Sequence, residues 1–125
     1  MNRVLVDTHA LLWWLSDDAA LSPAARETLA DPANEPLVSA ASVWEIAIKR
    51  SLGKLTAPDD LPDLIFDEGF SWLPITALHA WQVRELPNHH RDPFDRLLVA
   101  QALSEQLPVI TADTRFTDYG VEVRW

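Results

Sequence analysis

Four acidic side chains stand beside apolar runs in this chain, each near the predicted end of a helix or strand. They are Asp7, Glu45, Asp95 and Asp113. A carboxylate against a buried run costs free energy unless something compensates its charge. Two unit charges about 4 Å apart repel each other by about 4 kcal/mol at an effective dielectric constant of about 20. A divalent cation with oxygen ligands removes this repulsion and activates water, so the four acids together predict a metal-dependent phosphodiesterase site.

Each acid also has a purely structural interpretation. Asp7 could be the N-cap of the first helix, and Asp113 could cap a short turn. Glu45 could complete a capping box that begins at Ser42, or it could pair with Lys49 one helical turn later. Taken singly, these explanations are the simpler ones. The prediction of a metal site therefore depends on the four acids in combination.

Asp95 is the acid with the weakest structural explanation. It falls in the first turn of a predicted helix, where a carboxylate suits the helix dipole. Asp92 already stands at the cap position before Pro93, however, so the helix does not need Asp95 for capping.

Short apolar runs alternate with segments of helical periodicity along the whole chain. A continuous apolar run is typical of a strand buried on both faces of a parallel sheet. Strands are predicted at residues 4–6, 37–39, 70–75, 108–111 and 121–123, and helices after Asp7 and at residues 22–30, 42–52, 60–68, 76–85 and 92–106. This alternation predicts a single α/β domain over residues 1–125, a three-layer α/β/α sandwich around a parallel sheet. Functional sites of such sheets lie outside the carboxyl ends of the strands, where Asp7 and Asp113 fall.

The composition narrows the classes of function. The absence of cysteine excludes thiolate metal sites, and the three widely separated glycines exclude a phosphate-binding glycine loop. The net charge of −9 argues against a non-specific nucleic-acid binder. Six of the ten basic residues nevertheless stand near the acids in sequence, namely Lys49, Arg50, Lys54, Arg91, Arg96 and Arg115. With neither a signal peptide nor an apolar run of about 20 residues, we expect a soluble cytoplasmic protein without a membrane span.

Four segments of the chain closely resemble the PIN-domain ribonucleases of the VapC toxin type. They are residues 6–13 (VDTHALLW), 42–49 (SVWEIAIK), 90–102 (HRDPFDRLLVAQA) and 110–113 (ITAD). Their order, their spacing and the length of the chain agree with this family, and the third segment is the most specific.

This resemblance implies a fold, an activity and a set of partners. The fold is the three-layer sandwich, and the activity is Mg²⁺- or Mn²⁺-dependent endonucleolytic cleavage of RNA, often of structured RNA such as transfer RNA. Asp7, Glu45, Asp95 and Asp113 match the catalytic and metal-binding quartet, and Thr111 matches a hydroxyl that positions the last acid or a water. The expected partners are a VapB-like antitoxin, operator DNA through that antitoxin, and a second copy of the chain.

Several neighbouring residues have supporting roles in this interpretation. Arg96 or Lys49 would steady the scissile phosphate. His9 would support the site from behind Asp7, or simply pack at the start of the helix. Asp92 could in principle face the metal instead of Asp95, although its place before Pro93 favours a cap, and Asp118 could be an auxiliary ligand.

Two pairs of adjacent residues are also informative. Adjacent side chains seldom converge on one ion, so His89 and His90 are predicted to be loop or RNA-contacting histidines and not metal ligands. Trp13 and Trp14 are consecutive and are not expected to face the same core, which would leave one of them for a dimer or antitoxin interface.

Two other functions compete with the ribonuclease. A phosphatase with Asp7 as nucleophile would need a second acid two residues later, where His9 stands. A catalytically inactive scaffold that binds an antitoxin or RNA would not require all four acids.

Overall fold

The chain forms a five-stranded parallel sheet in the order β3-β2-β1-β4-β5, described over residues 2–125 in a computed structural model. The strands are β1 (Asn2–Val6), β2 (Asn34–Ser39), β3 (Ser71–Leu73), β4 (Val109–Ile110) and β5 (Val123–Arg124). The helices are α1 (Thr8–Leu15), α2 (Pro23–Ala30), α3 (Ala40–Ser51), α4 (Leu61–Asp67), α5 (Ala77–Gln82) and α6 (Pro93–Glu105), with 3₁₀ helices at Val83–Glu85 and Thr114–Tyr119.

The central strand β1 supplies side chains to two separate core clusters. Val4 and Val6 point into the first cluster, together with Leu11 of α1 and Ile46 of α3. Leu5 points into the second cluster, which contains the apolar residues of α6. Because neighbouring residues of a strand face opposite sides of the sheet, both faces of β1 are covered by helices. The predicted three-layer α/β/α sandwich is confirmed.

The strand order creates a crevice between β1 and β4. The strands β2 and β3 continue the sheet on one side of β1, and β4 and β5 continue it on the other. Helical connections therefore diverge at this point, which is where open α/β sheets bind their ligands. The backbone N–H of Asp7, the residue after β1, donates to the carbonyl of Ile110 at the end of β4 at 3.1 Å. The carboxyl ends of the two strands are thus joined directly.

Two of the helix starts follow the predicted capping chemistry. The Ser22 hydroxyl accepts from the N–H of Ala25 ahead of α2, which begins with Pro23. Asp92 caps α6: its Oδ1 accepts from the N–H of Phe94 at 2.8 Å and, at 3.3 Å, from that of Asp95. The structure therefore uses Asp92 as a cap and leaves the carboxylate of Asp95 free for another purpose.

The capping box considered as one explanation of Glu45, beginning at Ser42, does not form. The chain enters α3 three residues earlier, and Ser39 is the N-cap, with its hydroxyl accepting from the N–H of Ala41 at 3.0 Å. The Ser42 hydroxyl is instead buried inside the domain, where it accepts from the hydroxyl of Thr8 at 3.0 Å. Glu45 consequently has no capping role.

Other differences from the predictions are local. The third strand covers Ser71–Leu73 rather than 70–75, consistent with Pro74 having no N–H to donate to a ladder. Trp13 and Trp14 are both half-buried against the first core cluster, so the expectation that they could not share a core is wrong. Within residues 2–125, no helix is long and apolar enough to cross a membrane.

The cap at Asp92 gives a first prediction. We expect Asp92→Ala to be less stable than Asp92→Ser by about 1 kcal/mol, because serine can still accept a hydrogen bond from the first turn of α6 and alanine cannot. Both variants remove the same negative charge, so their difference isolates the cap. The measurement is urea unfolding of both variants without divalent metal. Equal free energies of unfolding would show that the hydrogen bonds of Asp92 do not hold the helix start.

Candidate active site

Asp7 and Asp113 stand on either side of the crevice between β1 and β4, and both are helix caps. Asp7 Oδ1 accepts from the N–H of Ala10 at 2.7 Å at the start of α1. Asp113 Oδ1 accepts from the N–H of Arg115 at 2.9 Å at the start of the 3₁₀ helix. Each acid thus uses one carboxylate oxygen to begin a helix and keeps the other for the crevice.

Thr111 connects the side chain of Asp7 to the backbone of Asp113. Its hydroxyl donates to Asp7 Oδ2 and accepts from the N–H of Asp113 at 3.0 Å. The threonine is fully buried, so the hydroxyl cannot exchange these partners for bulk water. These contacts are those expected of a residue that positions the acids.

Glu45 reaches the same edge of the sheet from the second turn of α3. Its side chain is buried, and Oε2 lies 2.5 Å from Lys49 Nζ one turn further along the helix. Its other oxygen, Oε1, is buried and has no hydrogen-bond partner among residues 2–125. A buried carboxylate oxygen without a partner carries a large desolvation cost, so it points to a species outside the chain, a cation or an ordered water.

His90 holds Asp95 and Asp113 together. Its Nε2 lies 2.9 Å from Asp95 Oδ2 and 2.9 Å from Asp113 Oδ2, and its ring is buried. Its Nδ1 accepts from the backbone N–H of Asp92 at 3.1 Å. Because Nδ1 must present a lone pair to that donor, the ring proton sits on Nε2. His90 is therefore a hydrogen-bond donor to the two carboxylates in this arrangement.

Burial and repulsion from neighbouring carboxylates strongly raise the pKa of Asp95. Burial raises the pKa of Asp95 to about 7, and the charges of Asp92, Glu45, Asp7 and Asp113 add to the rise. Asp95 therefore lies within electrostatic reach of the other three acids of the quartet and of Asp92.

The pKa values of Asp7 and Asp113, the two acids beside the crevice, are shifted in opposite directions. Burial raises the pKa of Asp7 despite the hydrogen bonds from Thr111 and from the N–H of Ala10. Burial also opposes ionisation of Asp113, but hydrogen bonds from Arg115 and His90 outweigh it and lower the pKa of Asp113 to about 2. Asp113 is thus the acid whose charge the chain itself compensates best.

The donor set of this site fits a hard divalent cation. A carboxylate oxygen of Asp95 and one of Asp113 lie within 4.8 Å of each other, with the His90 ring between them as a hydrogen-bond donor and not as a ligand. Asp7 and Glu45 are electrostatically coupled to Asp95 without joining that tight group. Carboxylate oxygens are the ligands that Mg²⁺ and Mn²⁺ prefer. The unpartnered Glu45 Oε1 and the raised pKa of Asp95 both indicate that the chain leaves negative charge uncompensated.

Comparisons with known proteins agree with this geometry. The PIN domain family profile matches residues 4–122. The chain belongs to the PIN domain family. It is 28% identical to ribonuclease VapC22 of Mycobacterium tuberculosis, over 95% of this chain and 93% of that protein.

Two solved structures share the fold of this PIN domain. One is VapBC2 from Rickettsia felis bound to a promoter DNA fragment, with a TM-score of 0.70 and 15% identity over 97% of this chain and 96% of that one. The other is DNA-bound VapBC from Salmonella typhimurium, with a TM-score of 0.68 and 19% identity over 98% of this chain and 97% of that one.

The structure does not support a phosphate-binding role for Arg96 in this PIN domain. Its guanidinium is used to hold the loop ahead of α6. It donates to the backbone carbonyls of Val83, Leu86, Pro87 and His90 and to the Tyr119 hydroxyl, at distances from 3.0 to 3.5 Å. The Tyr119 hydroxyl in turn accepts from the N–H groups of His89, at 3.1 Å, and His90, at 2.8 Å. Together these contacts fix the backbone that carries the His90 ring.

Asp118 is also in a different place from the one predicted. It is exposed and lines a separate groove with Leu86 and Leu103, because the 3₁₀ helix carries it away from Asp113. His9 is exposed and lies beside Asp7, where its charge favours ionisation of that acid. Of the two cations predicted to steady a phosphate, Lys49 is the one that the structure brings to the acids, where it binds Glu45.

His90 is the site residue that sequence reasoning missed. The pair His89-His90 was predicted to act in a loop because both rings cannot reach one ion, and His89 is indeed exposed. The His90 ring instead turns inward and is buried, so the two adjacent histidines have separate environments. A usable signal is its position two residues before the cap at Asp92, from which a side chain can fold back over the first turn of α6.

The raised pKa of Asp95 predicts the pH dependence of stability without metal. The native state keeps a proton that the unfolded state loses near pH 4, so the free energy of unfolding falls as pH rises from about 4 to about 7 and is then level. Asp95→Asn removes this penalty. We expect the variant to be more stable than wild type by about 2–4 kcal/mol at about pH 8, with little difference near pH 4. The measurement is chemical unfolding in EDTA at both pH values, and a less stable variant at the higher pH would contradict the repulsion.

The hydrogen bond from Asp92 N–H to His90 Nδ1 predicts the tautomer of this histidine. We expect nitrogen-15 NMR of the metal-free protein to show the proton on Nε2 and a bare Nδ1. The exposed His9 is the control within the same spectrum, because its ring is open to solvent. A proton on His90 Nδ1 would contradict the donor role, since that arrangement would point two N–H groups at each other.

Proposed function

We propose that this PIN domain is the ribonuclease toxin of a VapBC-type toxin–antitoxin pair and hydrolyses phosphodiester bonds of RNA. The observation that carries the proposal is the convergence of Asp7, Glu45, Asp95 and Asp113 on the carboxyl edge of the sheet with part of their charge left uncompensated. The similarity to a protein named ribonuclease VapC22 supports RNA as the substrate.

The four acids would hold Mg²⁺ or Mn²⁺, with Asp7 and Asp113 contributing most. A bound divalent ion supplies a water of lowered pKa and neutralises charge on the phosphate. Thr111 keeps Asp7 Oδ2 and the backbone of Asp113 in fixed relation. His90 keeps Asp95 and Asp113 in register, and the remaining oxygen of Glu45 completes the set of acceptors.

Cations of the chain itself would assist at the edge of the site. Lys49 lies against Glu45, and its ammonium is the group best placed to contact a phosphate as a point charge. Arg115 is exposed, and its fork binds Asp113 through Nε to Oδ1 and Nη2 to Oδ2, both at 3.0 Å. A guanidinium has five N–H groups, so those that Asp113 does not use could contact a phosphate while the ion pair stays in place.

A VapB-like antitoxin is the proposed partner, since the related structures are of VapBC assemblies bound to DNA. The net charge of −9 makes direct operator binding by this chain unfavourable, so DNA would be bound through the antitoxin. An apolar groove of about 490 Å³, lined by Leu12, Leu15, Leu61 and Leu64, offers surface for an apolar peptide segment. We also propose that the protein forms a homodimer and acts in the cytoplasm.

Cleavage of total RNA by antitoxin-free protein tests the activity. We expect discrete fragments with Mg²⁺ or Mn²⁺ and none with EDTA. Asp7→Asn should lower the rate by about 100-fold or more, since loss of even an outer-shell partner costs 10–100-fold. Asp118→Asn is the matched control, because it removes the same charge from an acid that lines another groove, and it should cleave like wild type.

Two outcomes of the cleavage experiment would contradict the proposal. Equal cleavage by wild type and Asp7→Asn would mean that the activity belongs to a contaminant. Folded wild-type protein that binds metal and antitoxin but never cleaves RNA would make this chain a binding scaffold.

A further inference from the structure

A second binding surface adjoins the acids. It is an open groove of about 470 Å³ between the start of α1 and the segment that follows β4. Asp7 and Asp113 form one end of it, and His9, Trp13 and Arg115 line the remainder. Because the same groove contains two of the proposed catalytic acids, a substrate held at those acids lies at its end and can extend along it.

Trp13 is held firmly in this groove. Its ring lies 5.9 Å from that of His9, one turn earlier in α1, and 5.8 Å from that of Trp125, with interplanar angles of 41° and 56°. It also packs against the first core cluster, so neighbours confine it on several sides. A ring that is already immobilised loses little conformational entropy when a ligand stacks on it. Trp14 differs, because its Nε1 donates to Glu68 Oε2 at 3.2 Å.

We propose that this groove binds an unpaired base of the RNA substrate, stacked on the exposed face of Trp13. The inference rests on the proposed function, since it places the base next to a phosphodiester held at the acids. Trp13 follows Asp7 by six residues, about 9 Å along the helix axis, which is a step of one to a few nucleotides. Stacking on an aromatic side chain is the usual way in which proteins hold single-stranded RNA, and it tolerates every base.

The lining of the groove favours RNA over a peptide. His9, Thr114 and Arg115 line the same groove as the aromatic ring and supply polar groups and a cation, which suit a base with its sugar and phosphate. The groove near α4 is lined mainly by apolar residues and has neither a charged side chain nor an aromatic ring. A paired base is enclosed by its neighbours in a duplex, so the proposed site selects loops, ends and single strands.

Equilibrium binding of a fluorescein-labelled single-stranded RNA of mixed sequence tests the site. The measurements use the Asp95→Asn background in Mg²⁺, so that the RNA stays intact. We expect Trp13→Leu, which keeps apolar contact with the core but has no aromatic face, to bind about 5- to 100-fold more weakly. Trp13→Phe should recover most of the affinity. Trp81→Leu is the matched control, because Trp81 is 65% exposed on α5, away from the groove, and we expect no change.

Two further measurements separate a base-binding role from a merely structural one. In the cleaving enzyme, Trp13→Leu should raise KM for the same RNA with little effect on kcat, whereas a disturbed site would lower kcat. The parent protein, with Trp13 intact, should also bind the single strand more tightly than the fully paired duplex of the same sequence, which tests the site without altering the groove.

The failures of the two proposals are distinguishable. Absence of metal-dependent cleavage by wild type would overturn the ribonuclease itself. Normal cleavage by wild type, together with unchanged affinity and KM in Trp13→Leu, would overturn the base site alone and leave the groove to a protein partner. Equal binding of single strand and duplex by the parent protein would overturn it as well.

Discussion

Repulsion among carboxylates gathered at one edge of the sheet is the constraint on which the rest of this structure depends. The strand order brings the residues after β1 and β4 together, and α3 and α6 add one acid each. The chain relieves the repulsion only in part: Lys49 binds Glu45, and Arg115 and His90 bind Asp113. Asp95, with its pKa raised to about 7, and the unpartnered oxygen of Glu45 carry what remains. A bound cation would relieve this remaining repulsion, and the free energy so gained would favour its binding.

A single carboxylate can serve both as a helix cap and as a group of the functional site. Asp7 and Asp113 begin helices with one oxygen and face the crevice with the other. A backbone N–H cannot move far, so the capping bond fixes where the second oxygen points. The capping interpretation and the metal interpretation therefore describe two halves of the same carboxylate.

Much of this arrangement could be predicted from the sequence because it depends on local rules. Buried strands, proline at a helix start and an acid after a strand each have a signature within a few residues, and these signatures predicted the sheet with Asp7 and Asp113 at its edge. The capping box at Ser42 failed because Ser39 competes for the same helix start. The place of His90 two residues before the cap at Asp92 allows an inward turn, but the turn itself depends on Arg96 and on Tyr119, which is 29 residues away in the sequence.

The division of the acids between aspartate and glutamate follows from where each one starts. Asp7 and Asp113 are the caps beside the crevice and Asp95 lies in the first turn of α6, where one methylene group lets an oxygen reach a nearby N–H or the site. Glu45 leaves from the second turn of α3, and its additional methylene group gives its carboxylate a longer reach. Side-chain reach is thus matched to backbone position. An exchange of aspartate for glutamate at the helix caps would preserve charge and lose alignment, so acids of equal charge are not interchangeable parts in this fold.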